Sequence, residues 1–461
     1  MRRFGWPAAA VAVLALAVWG ASTVPVQQPS PVPSVVDDRT RVVVVCPNLA
    51  GTTTALTAGA PAGGVRLAPL AAPGEPTTSE AGFVHDGGVT APMVVDAPQA
   101  RPFSATVAAA EAAGPERGLS MTSCGRPRTA HWFTGVTSSA TAVAEVVLLN
   151  ADARDATADL TVHTAGGRLN APGSRGIVVP ARSARTVPLE PLFTLDAPVT
   201  LQVSASAGRV AAVVRQRTLL AEAPAGGDWL PPTADPATTI VIPGVPAGTG
   251  RRDLVVANPG ERTATVALQV LGGSGATAVP GFETLDLPAH SSRVVPLAGA
   301  LAGAAAGLRL NSEQPVVAGV IGDAGSGDPN TQVATEPLTG GGVLAVAPGA
   351  AATTVLRLAN GGGTPVEVKV RAVRGSSAAA GSRSPFARTV VVPALADVGV
   401  PLPKADNLLI TVEPATPGAV HASLGVRRTI GDLAGTSSLA VLPGPAPVEL
   451  PPVRHDPRAG G

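Results

Sequence analysis

The alternation of hydrophobic and polar positions is clearest between Leu254 and Ile321. Branched apolar residues occupy every second position at Leu254 and Val256, again from Ala264 to Val270, and once more near Leu308. Gly, Pro and Asn residues separate these runs. Period-two alternation bounded by such turn residues predicts half-buried β-strands.

The same unit occurs twice more, and its turn residues keep their spacing. In every copy an Asn is followed after about 30 residues by a Pro, and after about 8 more by a Pro-Leu pair. Such a recurrence is typical of tandem β-modules. The copies contain Asn150, Pro180 and Pro188-Leu189; Asn258, Pro288 and Pro296-Leu297; and Asn360, Pro393 and Pro401-Leu402.

The size of each copy predicts an all-β chain of tandem immunoglobulin-like β-sandwiches. A unit of roughly 100 residues accommodates the strands of such a sandwich. A β-propeller with blades of about 50 residues is the alternative, ranked second because the internal period is twice that length. The predicted divisions are a signal peptide or transmembrane anchor (1–21), a Pro-rich linker (22–40), an N-terminal β-module with a disulfide, outside the clear repeat (41–135), three sandwich repeats (136–238, 239–338 and 339–446) and a disordered tail (447–461).

The composition favours short strands joined by many turns. Apolar residues make up 45% of the 461 residues, yet aromatic residues make up only 2% and Tyr is absent, while Gly and Pro number 53 and 47. The sheets must therefore be packed mainly with Val, Leu and Ala. The formal net charge of +1 gives no electrostatic basis for binding nucleic acid.

The first segment predicts export. Arg2 and Arg3 form a basic start, and an uninterrupted apolar run follows from Ala8 to Val18. This pattern fits a cleaved signal peptide or an uncleaved anchor, and the bulky Trp19 at a candidate cleavage site favours the anchor. The basic end would stay in the cytoplasm. The expected locations are therefore the cell membrane, with the rest of the chain outside the cytoplasm, or the secreted fraction.

The two cysteines of the chain, Cys46 and Cys124, both lie in the N-terminal module. In an exported protein an even pair is more often a disulfide than a metal or catalytic site. We therefore predict a Cys46–Cys124 bridge that connects the first strand of this module to its last.

Candidate catalytic and metal-binding residues are few. His85 or His131 could serve a hydrolase, although a solvated or structural role is favoured for each: His85 lies in a segment typical of a hairpin turn, and the sequence contains no known catalytic motif. Asp323, Asp328 and Asn330 could supply oxygen ligands to calcium, but their spacing departs from the known calcium loop. The favoured interpretation of that segment is a polar surface turn, and no cofactor or metal is predicted.

Three aromatic residues are notable because aromatics are so scarce. Trp132, Phe133 and Trp229 each precede a repeat. If exposed, the two tryptophans could stack on the sugar rings of an envelope glycan; if buried, they would fill the junctions between modules. Junction packing is favoured.

The order of these features resembles an uncharacterised family of exported proteins from high-GC Gram-positive bacteria, defined by a domain of unknown function. The resemblance rests on the N-terminal anchor, the strand from Val42 to Cys46, Gly118-Leu119-Ser120 before Cys124, Trp132-Phe133, and Asn258-Pro259-Gly260 with Pro288. It covers the chain from Val42 to Pro443. It implies an envelope protein with no assigned activity and no catalytic residues.

The sequence thus predicts a non-enzymatic cell-envelope protein with a structural or protein-interaction role. Its expected partners are the membrane, through the N-terminal helix, and envelope proteins or cell-wall glycan. A polysaccharide-binding module is the first alternative, which requires Trp132 and Trp229 to be exposed in a groove. An envelope hydrolase is the second, which requires a carboxylate or Ser close to the imidazole of His85 or His131 in a concave pocket.

Overall fold

Antiparallel strands make up nearly all of the regular structure. The computed structural model describes residues 41–48, 54–61, 63–71, 76–79, 82–98, 102–220, 223–323, 325–375 and 386–444. Within those ranges there is one helix, α1 (Ala298–Leu301). The prediction of an all-β chain is therefore confirmed. The predicted anchor, linker and tail lie outside the described residues.

The strands form four groups, which we call modules 1 to 4. Module 1 consists of β1 (Arg41–Cys46), β2 (Thr54–Gly59), β3 (Val65–Pro69), β4 (Thr77–Ser79), β5 (Phe83–Val89), β6 (Met93–Pro98), β7 (Ser104–Glu111) and β8 (Gly118–Ser123). One sheet has the order β1-β6-β3-β4, and the other has the order β5-β2-β7-β8.

Module 2 has the same two sheets, with its fourth strand divided into two pieces. It consists of β9 (Ala130–Ser138), β10 (Ala142–Asn150), β11 (Ala156–Thr164), β12 (Gly167–Leu169), β13 (Ile177–Val179), β14 (Ser183–Pro188), β15 (Leu195–Ala207), β16 (Ala211–Leu220) and β17 (Ala223–Leu230). The sheet orders are β12-β11-β15-β9, with β13 also on β11, and β14-β10-β16-β17.

Module 3 has one long strand that belongs to both of its sheets. It consists of β18 (Ala237–Val245), β19 (Arg252–Ala257), β20 (Ala264–Leu271), β21 (Ala276–Ala278), β22 (Thr284–Leu287), β23 (Ser292–Pro296), β24 (Ala306–Gly322) and β25 (Asn330–Val333). The first half of β24 pairs with β18 and β20, and its second half pairs with β19 and β25.

Module 4 returns to two separate four-stranded sheets. It consists of β26 (Gly342–Val346), β27 (Thr353–Asn360), β28 (Val366–Arg374), β29 (Phe386–Val392), β30 (Ala396–Pro401), β31 (Leu408–Pro414), β32 (Val420–Ile430) and β33 (Leu433–Ala440). The sheet orders are β26-β31-β28-β29 and β30-β27-β32-β33.

All four modules share one strand order. The strands are numbered by position within each module, with β12 and β13 counted as one strand, β21 and β22 as one strand, and the two halves of β24 as two strands. Every module then pairs strands 1-6-3-4 in one sheet and 5-2-7-8 in the other. The sequence pattern set module 1 apart from the repeats, but its topology is the same. The described part of the chain therefore contains four copies of one unit.

A buried Asn explains the spacing of the sequence repeat in modules 2 to 4. The side-chain amide of each Asn donates to a carbonyl four residues later and to two carbonyls at the turn that contains the Pro, while its Oδ1 accepts an N–H two residues later. One side chain thus ties two turns together, and the distance along the chain between Asn and Pro is fixed by that contact. The residues are Asn150 with Pro180, Asn258 with Pro288, and Asn360 with Pro393.

The hydrophobic cores are continuous across some module boundaries. Leu119 and Met121 of β8 belong to the core of module 4. Trp229 of β17, together with Val147 and Leu149 of β10, belongs to the core of module 1. Burying such side chains stabilises by about 1.5–3 kcal/mol each, so these boundaries are part of the folded core.

The eighth strands of the four modules meet one another. Strand β8 contacts β17 and β33, and β25 contacts β33 and β17. Module 1 therefore packs on module 4 as well as on module 2, and the four modules form a closed ring. We refer to the line where the eighth strands meet as the ring axis.

Candidate functional site

The ring axis is built from polar side chains that are shielded from solvent. Ser120 Oγ of module 1 donates to the Gly227 carbonyl of module 2 at 3.0 Å, and Gln332 Nε2 of module 3 donates to Ser438 Oγ of module 4 at 3.0 Å. Buried polar groups are costly unless they are paired. The axis is therefore held by specific hydrogen bonds between modules as well as by apolar packing.

Asp328 connects three modules at this axis. It lies in the turn before β25 and is fully buried. Its Oδ2 accepts hydrogen bonds from the backbone N–H of Leu119 in module 1 at 3.1 Å and of Thr436 in module 4 at 2.7 Å. The expectation that this segment is a polar surface turn is wrong for Asp328 and Asn330, because the ring folds around it.

A second carboxyl group, Asp228 of β17, is buried beside the same axis. Burial and the nearby Asp328 charge raise the pKa of Asp228 well above its usual range. Burial likewise raises the pKa of Asp328 to about 6, although the backbone N–H groups of Thr436 and Leu119 and the charge of Arg117 oppose that shift. The pair is therefore sensitive to pH in a range where exposed carboxylates are fully ionised.

A cavity of about 490 Å³ borders the axis between modules 1, 2 and 3. Its wall includes Arg117, Asp228 and Asn330. Its size is within the range of small-molecule sites. The wall mixes both signs of charge with apolar residues such as Leu230 and Ile321.

The aromatic residues singled out in the sequence are all buried. Trp132 is 5% exposed and packs with Ala257 and Val317 of module 3. Trp229 is 1% exposed and lies in the core of module 1, across a module boundary. Phe133 lies in the core of module 2 itself. Neither tryptophan exposes a ring face on which a sugar could stack.

The two candidate catalytic histidines lie in different modules and have different surroundings. His131 is buried, its Nε2 lies 2.7 Å from the Val210 carbonyl oxygen, and burial lowers its pKa. His85 is exposed, and its Nδ1 lies 3.0 Å from Thr57 Oγ1. Within the described ranges, neither imidazole has a carboxylate or serine partner at hydrogen-bond distance.

The three candidate calcium ligands, Asp323, Asp328 and Asn330, accept hydrogen bonds from other groups of the protein. Asp323 Oδ1 accepts the Gly325 N–H at 2.9 Å, and Asn330 Oδ1 accepts from Gln332 Nε2. Asp328 is committed to the two backbone N–H groups at the axis. In the part of the chain that the structure describes, no three His, Cys, Asp or Glu side chains are grouped closely enough to hold a metal ion.

The predicted Cys46–Cys124 disulfide is confirmed. It joins the end of β1 to the residue that follows β8, and Val45 and Gly125 beside it exchange backbone hydrogen bonds of 2.8 and 3.0 Å. The bridge therefore fixes the start of module 1 against its last strand. That last strand is the one that reaches the ring axis.

Asp228 and Asp397 were not identified from the sequence. Asp397 is fully buried at the start of β30, where its Oδ2 accepts the Gly244 N–H of module 3 at 2.9 Å and its Oδ1 pairs with Arg357. A single Asp inside an apolar run is the available signal, since such a residue in a predicted strand needs a buried partner.

Comparison with known proteins identifies a family but no activity. The model of a family of unknown function (DUF5719) matches residues 84–385. Curated protein sequences gave no match to the chain. Among solved structures, it is similar to an α-L-rhamnosidase from Streptomyces avermitilis complexed with L-rhamnose, at 10% identity and a TM-score of 0.14 over 86% of this chain and 54% of that one. The chain thus spans about half the length of that enzyme.

Among the described residues, no helix has the length and apolar character needed to cross a bilayer.

Proposed function

This chain belongs to the DUF5719 family of unknown function, and we propose that it is a non-enzymatic protein of the cell envelope that serves as a rigid scaffold for protein partners. We infer further that each module is an immunoglobulin-like β-sandwich. Two four-stranded antiparallel sheets around a common apolar core support that fold over propeller blades.

The closed ring is the observation that carries the proposal. Tandem sandwiches joined end to end would leave their relative positions free to vary. Here module 1 packs on module 4, with Leu119 and Met121 inside the neighbouring core. Asp328 then bonds to both of those modules from module 3. A closed arrangement of this kind presents a fixed outer surface, which suits a scaffold.

Two features support a location outside the cytoplasm. A disulfide is stable in oxidising compartments, and the Cys46–Cys124 bridge is a structural one within module 1. The basic and apolar segment at residues 1–21 is typical of an export signal or anchor. The proposed location is the cell membrane with the modules outside, or the secreted fraction after cleavage.

The alternatives have less support. Glycan stacking needs open aromatic faces, whereas Trp132 and Trp229 are buried among apolar side chains. A hydrolase using His131 needs an activating or attacking group, whereas this imidazole faces the Val210 carbonyl. The polysaccharide-binding alternative is a distinct outcome of the experiment below.

The proposal is tested with the full chain carrying a C-terminal epitope in the cell that produces it. Protease added to intact cells should remove the epitope, and an epitope that resists until the cells are lysed would contradict export. Crosslinking in intact cells should then yield adducts that survive cell-wall hydrolases and are lost on proteolysis. Retention of the purified chain on peptidoglycan-linked glycan, with no protein adduct, would favour the polysaccharide-binding alternative instead.

A further inference from the structure

A cavity of about 260 Å³ lies where module 3 covers the outer face of the sheet β30-β27-β32-β33. Side chains of a strand point alternately to its two faces, and the inward positions, such as Val426, belong to the module 4 core. The outward positions form the cavity floor in two cross-strand rows, Thr353, Arg427 and Thr436, then Val355, Gly425 and Ser438.

Arg357 is fixed at one end of this floor. Its Nη2 pairs with the buried carboxylate of Asp397, which is held in turn by the Gly244 N–H. Gly244 has a φ of +73°, and a Cβ there would come within 2.5 Å of Arg357 Cγ. Glycine is therefore required for this contact, and the guanidinium group is oriented before any ligand arrives. Its Nε is buried without an acceptor in the described part of the chain.

Arg427 lies at the other end and is exposed. In the described ranges no carboxylate lies within 4.0 Å of it, and no described residue lining the cavity is Asp or Glu. Because Asp397 neutralises Arg357 alone, the charge of Arg427 is left without a counterion. Arg427 thus supplies a positive charge at its end of the floor, and the Asp328 carboxylate accepts a hydrogen bond from the backbone N–H of the neighbouring floor residue Thr436.

The outward positions of the floor carry three hydroxyl groups. Thr353 of β27 and Thr436 of β33 flank Arg427 in its row, and Ser438 of β33 lies beside Gly425 in the next row. Gly425, in the middle of the second row, has no side chain, which leaves a depression in the floor at that point. Guanidinium and hydroxyl donors together match the several acceptor oxygens of a tetrahedral phosphate better than a planar carboxylate, which has only two.

We infer that this cavity binds a phosphate group, held by Arg427 and the hydroxyls of its row, with the remainder of a phosphate ester directed toward Arg357. Along the strands, Arg357 lies about 13 Å from the row that contains Arg427. This distance leaves room for a small polar group attached to the phosphate. The phosphate can be free, a monoester, or part of a phosphodiester chain, and these sources share the recognition chemistry. The inference is independent of the scaffold function proposed above.

Titration calorimetry on the full chain at low, constant ionic strength tests it, with inorganic phosphate, glycerol 3-phosphate and the diester bis(glycerol) phosphate as probes and glycerol as the neutral control. At least one phosphate probe should bind and glycerol should not. Preference for the diester would identify a polymer source, preference for glycerol 3-phosphate a monoester, and preference for inorganic phosphate the free ion. Lack of binding by all three would overturn the inference.

Two variants locate the site. Arg427→Gln, an exposed exchange that breaks no ion pair among the described residues, should weaken binding by about tenfold or more. Gly425→Val should abolish binding without a charge change, since a Cβ at Gly425 meets nothing closer than the Val355 carbonyl oxygen at 3.8 Å and the fold should be kept. The matched control Arg175→Gln, an exposed residue of module 2, should bind like the parent chain. Binding that survives both cavity variants would overturn the inference.

Discussion

The Asp328 carboxylate of module 3 accepts a 2.7 Å hydrogen bond from the backbone N–H of Thr436 in module 4, 108 residues further along the chain. The same oxygen atom accepts the Leu119 N–H of module 1 at 3.1 Å. One buried side chain thus joins the first, third and fourth modules. Its position makes the stability of the closed ring sensitive to the protonation of this carboxyl group.

Exchange of Asp328 for Asn should change the pH dependence of stability. The folded pKa is about 6 and the unfolded value is about 3.9, so between these values the folded chain holds a proton that the unfolded chain has released. Raising the pH through this window lowers the free energy of unfolding, by roughly 3 kcal/mol in total. We therefore subtract the free energy of unfolding of Asp328→Asn from that of the parent chain. This difference should be roughly 2–3 kcal/mol larger at pH 4 than at pH 7.5.

Urea unfolding of both chains at the two pH values measures this difference. Asp86→Asn, an exposed exchange, controls for the loss of one carboxylate. If the two chains differ in free energy of unfolding by the same amount at pH 4 and at pH 7.5, Asp328 is not buried at the axis.

His421 should give a dependence of the opposite sign. Its Nδ1 lies 2.8 Å from the Thr335 carbonyl oxygen of the preceding module, and burial lowers its pKa to about 4. The unfolded chain takes up the proton first, so stability is lost as the pH falls from about 6.5 to about 4, by roughly 3 kcal/mol. His421→Gln should remove that loss, measured by urea unfolding at pH 7.5 and pH 4.

The exposed His85→Gln exchange is the matched control for this series. If His421→Gln and the parent chain lose equal stability on acidification, the imidazole is accessible to solvent and its assigned burial is wrong.

Asn258→Ala should lower the free energy of unfolding by about 3 kcal/mol. The substitution leaves the buried carbonyl of Leu287 without its donor and removes the acceptor of the Gly260 N–H, and each unpaired buried group costs about 1–3 kcal/mol. Asn170→Ala, in an exposed turn of module 2, should change stability by less than about 0.5 kcal/mol. Equal effects of the two exchanges would remove the physical basis proposed for the repeat.

The strands of modules 2 to 4 could be predicted because their pattern is local. Alternation around Leu254 and Val256 and the turn at Asn258 are short-range features, and the Asn-to-Pro spacing reflects one repeated hydrogen-bond network. Module 1 lacks that Asn network and is closed by its disulfide, so its sequence does not resemble the other copies although its strand order does.

The ring axis could not be predicted, because its contacts join residues that are distant along the chain. The segment around Asp328, rich in Gly and Asp, has the composition of a surface turn, and only the closure of module 1 on module 4 buries it. Which residues from four modules come together depends on how the modules pack, and local periodicity carries no information on that.

Reduction of the disulfide should destabilise module 1 and, through β8, the ring. The bridge closes a loop with a sequence separation of 78, and restricting the unfolded chain in this way contributes about 4 kcal/mol on the entropic model. Urea unfolding should shift to lower concentration when dithiothreitol is present. A Cys46→Ala, Cys124→Ala double variant should unfold early in both conditions, and a parent chain that does not respond to the reductant would contradict the prediction.

Closure of the ring is tested most directly by crosslinking module 1 to module 4. A Cβ placed on Gly431 would lie 3.4 Å from the Cβ of Ala112, although the two residues are 319 positions apart. The φ of Gly431 is +58°, so a Cys there costs about 1–2 kcal/mol of backbone strain. In an Ala112→Cys, Gly431→Cys variant, a short bismaleimide should join the two thiols within one chain rapidly and nearly completely, as seen by gel mobility and peptide mass. The single variants and the same double variant in concentrated urea are the controls. Rapid crosslinking of the folded chain alone is the predicted result, and a rate no faster than in urea would contradict the closed ring.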